Sequence, residues 1–229
     1  MNLGDYQTDL QVLLNDTSGQ YFQLAQLNTF INWARRRIAG AAECVRWLTP
    51  AGTGGLNTVA NQEVYTFATA NGYIPTGSGM LEILSVRMVA ITNGNLRPAW
   101  RQLAWSAHES YFRSLTVTGN TPGPGAWSQY GQGASGSIYL FPVPSQPSPM
   151  EWDCSMLPID LATPSDPEAV PDPWTDFVVT GALFRAYIAQ QKIQEAAAAE
   201  KLFYDGIARG RREAEGSVRI MHPYGGGPE

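Results

Sequence analysis

The sequence predicts an α+β protein: an α-helical bundle made from N-terminal and C-terminal helices, with a β-rich lobe inserted between them. Three observations lead there. Apolar residues recur at spacings of three and four from Leu24 onward, which is the period of one helix face. Glycine and proline become frequent between Ala51 and Pro158, where β-prone runs are bounded by turn residues. Helical spacing returns beyond Trp174. The expected organisation is 1–50 as N-terminal helices, 51–158 as the lobe, 159–215 as C-terminal helices and 216–229 as an extended tail.

Residues 3–15 suit a short helix with Leu3, Tyr6, Leu10, Leu13 and Leu14 on one side. The polar run Asn15-Asp16-Thr17-Ser18-Gly19 stops it. The second helix is the clearest signal. Leu24, Leu27, Ile31, Ala34, Ile38, Ala41, Val45 and Leu48 form one stripe, with Arg35, Arg36, Arg37 and Arg46 beside it, and the helix is expected to end before Pro50. In the lobe, strands are expected over 63–67, 80–91, 127–130, 137–141 and 150–156, the last two as a hairpin around the proline-rich VPSQPSP loop. Residues 101–115 read as a short helix, and TGNTPGPG at 118–125 as a loop of breakers. Ser165-Asp166-Pro167-Glu168 fits a capping box, and Asp172-Pro173 fits an N-cap with proline at the first helical position. Helical spacing then runs from Trp174 to Ile188 and from Ile193 to Ile207; Gln190–Lys192 suits either a turn or a continuous rod.

Composition narrows the function. Charged residues make up 15% of the chain, while there are 7 Trp, 10 Tyr and 8 Phe. Interface cores are rich in aromatics and poor in charge, so contact with other protein is expected. A net charge of −5 argues against a dedicated nucleic-acid binder, whose affinity rests on neutralising phosphate. Cys44 and Cys154 are expected to be reduced, and the opening MNLGDYQTDLQ lacks the basic start and apolar run of a signal peptide. The apolar stretch from Phe177 to Ala189 contains Arg185 and is too short to span a bilayer. No membrane partner is expected.

Catalytic equipment is not legible. His108 and His222 have no ligand spacing to each other or to the cysteines, so no metal is expected. Gly131, Gly133 and Gly136 spell G-x-G-x-x-G but lead into a strand, where a pyrophosphate cradle needs a helix. Asp153, Asp160, Asp166, Glu168, Asp172 and Asp176 cluster where helix starts want caps, which favours structural over paired-acid use. The arginines at 35–37 and 209–212 suit a solvated face or contact with an acidic protein surface or passing nucleic acid. No cofactor and no enzymatic activity are expected.

The stretch 127–181 carries a family pattern. A strand ends in Pro142-x-Pro144, followed by the aromatic–acid step Glu151-Trp152-Asp153, then Leu157-Pro158 and Leu161. A Ser165-Asp166-Pro167 turn and a proline-started helix with Gly181-Ala182 follow, and Ile31-Asn32-Trp33-Ala34 occupies the early long helix. This resembles the head-to-tail adaptor, or connector, proteins of tailed bacteriophages, with 68–125 outside the likeness. The resemblance implies a structural virion protein, made in the bacterial host cytoplasm and placed in the neck. It implies a homo-oligomeric ring, a dodecamer, beneath the portal protein, joined to tail or neck proteins around a DNA channel. It places the portal-facing residues at Arg209, Arg211, Arg212 and Arg219, then Ile220, Met221, His222, Pro223 and Tyr224. Trp127, Tyr130, Pro144, Pro147 and Trp152 are the expected subunit or tail interface. Competing readings are another neck or tail-completion protein, a carbohydrate-binding β module stacking sugars on Trp100, Trp105, Trp127 and Trp152, and a hydrolase using acids of 151–176.

Overall fold

A computed structural model describes residues 1–89, 99–112 and 124–219. The chain is α+β and divides into two compact units, Met1–Cys44 together with the chain from Asp160 onward, and Val45–Ile159.

The first unit is helical. Helix α1 (Leu3–Leu13) starts with a reciprocal box: Asn2 Oδ1 accepts the Asp5 N–H at 3.0 Å, and Asp5 Oδ2 accepts the Asn2 N–H at 2.9 Å. Beyond it the buried Asp16 carboxylate gathers the N–H groups of Gln20, Tyr21 and Phe22 at 2.7–3.1 Å, turning the chain into α2 (Leu24–Ala42). The expected stripe holds where it counts: Leu27, Ile31, Ala34 and Ile38 are buried. Leu24 is exposed, and the helix stops earlier than the spacing suggests. Glu43 takes a left-handed conformation with φ 52°, its N–H returning to Ala39 O at 2.9 Å, so Arg46–Leu48 leave the helix and become a strand.

Residues 165–168 form no helical turn. Asp166 instead closes a loop, accepting the Ala162 and Thr163 N–H groups and the Thr163 hydroxyl. Asp172 opens a 3-10 turn, Asp172–Trp174, whose N-cap is Pro171, and α4 (Thr175–Ala189) follows. A turn, not a continuous rod, joins it to α5 (Ile193–Arg219): Gln191 is left-handed with φ 60°. The helix therefore continues past Gly216, through part of the expected tail. Residues 220–229 lie outside the described residues.

The α4–α5 seam is built on missing side chains. A Cβ on Gly206 would lie 2.4 Å from Phe177 Cδ1, and one on Gly181 would lie 2.6 Å from Phe203 Cε2. The two helices approach through these gaps, with Ala182, Ala186, Ala196, Ala199 and Phe203 buried along the seam. Gly206→Val is expected to destabilise the helical unit by about 1–3 kcal/mol through overpacking, measured as a lower denaturation midpoint.

The second unit holds two sheets. In one, β1 (Arg46–Leu48) and β3 (Gly79–Met88) flank β7 (Met150–Leu157), all antiparallel. The other runs β2 (Val64–Thr66), β6 (Ser137–Phe141), β5 (Ala126–Tyr130), β4 (Arg101–Gln102), with β4 parallel to β5. Alternation fixes the faces: Met150, Trp152, Cys154 and Met156 of β7 point into a core shared with Ile138, Leu140 and Trp127. Three expectations change here. The strand read over 80–91 ends at Met88, and 90–91 lie outside the described residues. The helix read over 101–115 is a short strand, one α turn (α3, Trp105–Ala107) and a π turn (His108–Phe112); 113–115 are outside the described residues.

The expected β6–β7 hairpin is absent, since the two strands sit in different sheets. Pro142, Pro144, Pro147 and Pro149 offer no N–H to a tight hairpin. Their segment is held instead by 57–61: Thr58 N–H donates to Ser148 O at 2.8 Å, Thr58 Oγ1 accepts the Ser148 N–H at 2.7 Å, and Asn61 N–H donates to Pro144 O at 2.8 Å.

Candidate functional site

The clustered acids resolve into clasps. Arg35 is fully buried, not part of a solvated flank, and its guanidinium grips the Glu168 carboxylate with Nε at 2.9 and 3.0 Å and Nη2 at 2.8 Å. Glu168 also accepts the Ala169 and Val170 N–H groups at 2.7 and 2.8 Å. Burial is the largest single influence and would raise the Glu168 carboxyl, but the Arg35 hydrogen bonds, the Val170 N–H, the Arg35 charge and the Tyr6 hydroxyl together outweigh it and hold the group below the usual carboxylate range. Burial, and next the Glu168 charge, push the neighbouring Tyr6 phenol above its ordinary value. Asn32 adds a second grip, exchanging bonds with the Leu161 backbone at 2.9 and 3.0 Å. Together α2 and these acids lock the 160–170 segment onto the helices.

Asp160 pairs with Arg36 at 2.5 Å, and Asp153 pairs with Arg46. Asp166 is held below the carboxylate range by its Thr163 hydrogen bonds. Structural partners thus occupy four of the six acids a hydrolase would have drawn on. Neither Asp166 nor Glu168 is arranged to carry a proton near neutrality.

The aromatic residues divide sharply. Trp127 and Trp152, expected at an interface, are fully buried in the core of the β unit, and Pro144 is buried as well. They fill space between the sheets and cannot meet a partner. Tyr130 and Pro147 are exposed. A sugar-stacking platform fails for the same reason: Trp100, Trp127 and Trp152 are interior. Trp105 is half-buried and already packed, with its ring 4.5 Å from Tyr139, 4.8 Å from Tyr130 and stacked on His108 at 5.6 Å. Gly131 and Gly133, with φ 74° and 61°, shape the β5–β6 connection, which passes through one 3-10 turn (Gly133–Ser135) into a strand and offers no α-helix N-terminus to a phosphate. Burial pushes the Cys154 thiol up to about 12, and neither cysteine is in a disulfide. Among the described residues no group of His, Cys, Asp and Glu converges to hold a metal, and no helix is long and apolar enough to cross a membrane.

The arginines expected to face the portal lie on α5. Arg209, Arg211 and Arg212 are all solvent-facing, about two to three turns before its C-terminal end. Arg211 donates to Ala41 O of α2 at 3.1 Å. Arg209 lies over the Phe177 ring at 6.0 Å and reaches Glu213 at 3.8 Å. Arg219 belongs to the last turn of α5, and Ile220, Met221, His222, Pro223 and Tyr224 fall outside the described residues. Between α4 and α5 runs a groove of about 470 Å³, lined by Phe177 and Thr180 on one side and Leu202, Asp205, Arg209 and Arg212 on the other. Composition hinted at an interface, but it could not point to this groove, because its shape arises from Gly206 lying opposite Phe177.

No curated protein matches the chain. Residues 1–221, spanning both units, match the SU10 adaptor protein family. A match of that length covers every element described above, from α1 to the end of α5. The chain therefore belongs to the SU10 adaptor protein family and is a structural phage adaptor, a virion component whose family implies contact with other head and tail proteins.

Proposed function

We propose that this protein is a head-to-tail adaptor that forms a ring beneath the portal, links the capsid vertex to the tail and leaves an axial channel for DNA. The observation that carries this reading is the family match across 1–221. The resemblance read from the sequence supports a dodecamer and a purely structural, non-enzymatic role. The C-terminal half of α5 suits the portal contact: its Arg209, Arg211 and Arg212 are exposed, and the residues 220–229 that follow it are rich in glycine and proline. Tyr130 and Pro147 are the exposed members of the expected subunit or tail interface.

Removing residues 216–229 is expected to weaken binding to purified portal rings at least tenfold, measured by co-sedimentation. Circular dichroism of the shortened chain should lose no more helix than the last turn of α5 and keep the strand content of the parent. Undiminished portal binding would overturn the assignment of this end.

A further inference from the structure

Helix α1 uses one face to pack on α2 and α4, through Leu3, Tyr6, Gln7 and Leu10. Its outer face is unusual. Asp5, Asp9 and Val12 fall along one line of the helix, with Leu13 beside its end. Asp5 and Asp9 are exposed, Val12 is 61% exposed and Leu13 is 54% exposed. The chain has no Lys or Arg before Arg35, so this face is purely acidic, then aliphatic. The groove between α4 and α5 carries the complementary order: Arg212 and Arg209 at one end, Phe177 opposite Gly206 beneath the Arg209 side chain, and Leu202 at the other end.

The spacings agree. At about 1.5 Å per residue, Asp5 and Asp9 stand about 6 Å apart and Arg209 and Arg212 about 4.5 Å apart, within reach of long arginine side chains. Setting Asp9 against Arg209 in antiparallel orientation brings Asp5 level with Glu213 and one residue past Arg212, whose long side chain still reaches it. It also brings Val12 and Leu13 over Gly206, where α5 has no side chain, toward Phe177 and Leu202. Asp205 then lies level with Leu13, away from either acid. A parallel orientation with the same Asp9–Arg209 pair would set Asp5 against Asp205 and the apolar Val12 and Leu13 against Arg212 and Glu213. The present partner of Arg209, Glu213, is a loose contact between two exposed side chains and is easily exchanged.

We propose that the α4–α5 groove receives helix α1 of a second copy of this chain, antiparallel, with Asp9 on Arg209 and Asp5 on Arg212. This deepens the ring reading and rests on it. Because α1 and α5 both pack on the α2–α4 pair, each copy presents two unlike faces, and such a heterologous contact propagates until it closes. It also divides the basic cluster. Arg209 and Arg212 serve the neighbour, while Arg211, on the other flank of α5, is left for the portal side.

The test uses charge reversal in the full chain. Sedimentation velocity over a concentration series is run on the parent, Asp9→Arg, Arg209→Glu and the double variant, at low and high salt. The parent should self-associate, more weakly at high salt. Each single reversal should weaken association at least tenfold, with circular dichroism unchanged, and the double variant should recover most of the loss. A parent that stays monomeric throughout, or a double variant no better than the singles, overturns the pairing. The same four proteins are then added to portal rings. A second layer that forms equally with all four leaves the ring reading standing and overturns this interface; no layer with the parent overturns the ring reading itself.

Discussion

Arg35→Met is expected to cost the helical unit about 3–5 kcal/mol, the typical loss when one partner of a buried ion pair is removed. The Arg35 and Glu168 side chains are only 1% and 4% exposed, so removing the guanidinium strands a carboxylate that water cannot reach. Glu168→Gln should cost less, because a neutral amide leaves the backbone N–H groups of Ala169 and Val170 an acceptor. Arg35→Met combined with Glu168→Leu should recover much of the loss, since apolar residues of similar size can replace a buried pair. Chemical denaturation followed by far-ultraviolet circular dichroism measures all three. A loss under 1 kcal/mol for Arg35→Met would show that the pair is not the clasp described here.

The same pair sets an acid limit. The Glu168 carboxyl is depressed in the folded chain, so its contribution is complete above the ordinary glutamate value of about 4.3 and is lost as pH falls through the lower folded value. Acid unfolding of the parent should therefore set in below about pH 4. Glu168→Gln, already less stable at neutral pH, should show a flatter profile there.

Trp152→Ala should destabilise the β unit by about 3–5 kcal/mol, the usual range for truncating a buried aromatic. The residue is fully buried at the centre of β7, opposite Val86 of β3, and its backbone N–H donates to Thr49 Oγ1 at 2.9 Å. An interface tryptophan would behave differently: truncation would spare the melting of the isolated chain and reduce assembly instead. Near-ultraviolet circular dichroism and thermal denaturation of the free protein separate the two. A variant as stable as the parent would put Trp152 back at an interface.

These residues show where sequence reasoning reached and where it stopped. The α2 stripe was legible because Leu27, Ile31, Ala34 and Ile38 pack locally in sequence and follow the helical period. Its end was not. Ala41, Val45 and Leu48 keep the period, yet Glu43 turns the chain and Trp47 pairs with Cys154, a partner more than a hundred residues on. Arg35, Arg36 and Arg37 read alike in a row, but successive helical residues turn by about 100°, so one of three points inward. Which one depends on Glu168, which the local pattern does not reveal. The aromatic excess pointed to contact with other protein, but Trp127 and Trp152 are consumed by the protein's own core, while exposed apolar surface falls to Val12, Tyr21, Ile193 and Leu202. The hairpin reading failed because two strands near in sequence were taken as neighbours in space, although their proline-rich connection bonds to 57–61 instead.

Electron microscopy of the full-length protein mixed with purified portal rings addresses the central proposal most directly. The adaptor reading predicts a second, co-axial ring with an open centre, its helical units against the portal. Portal particles that remain bare, with the added protein free in solution, would contradict it.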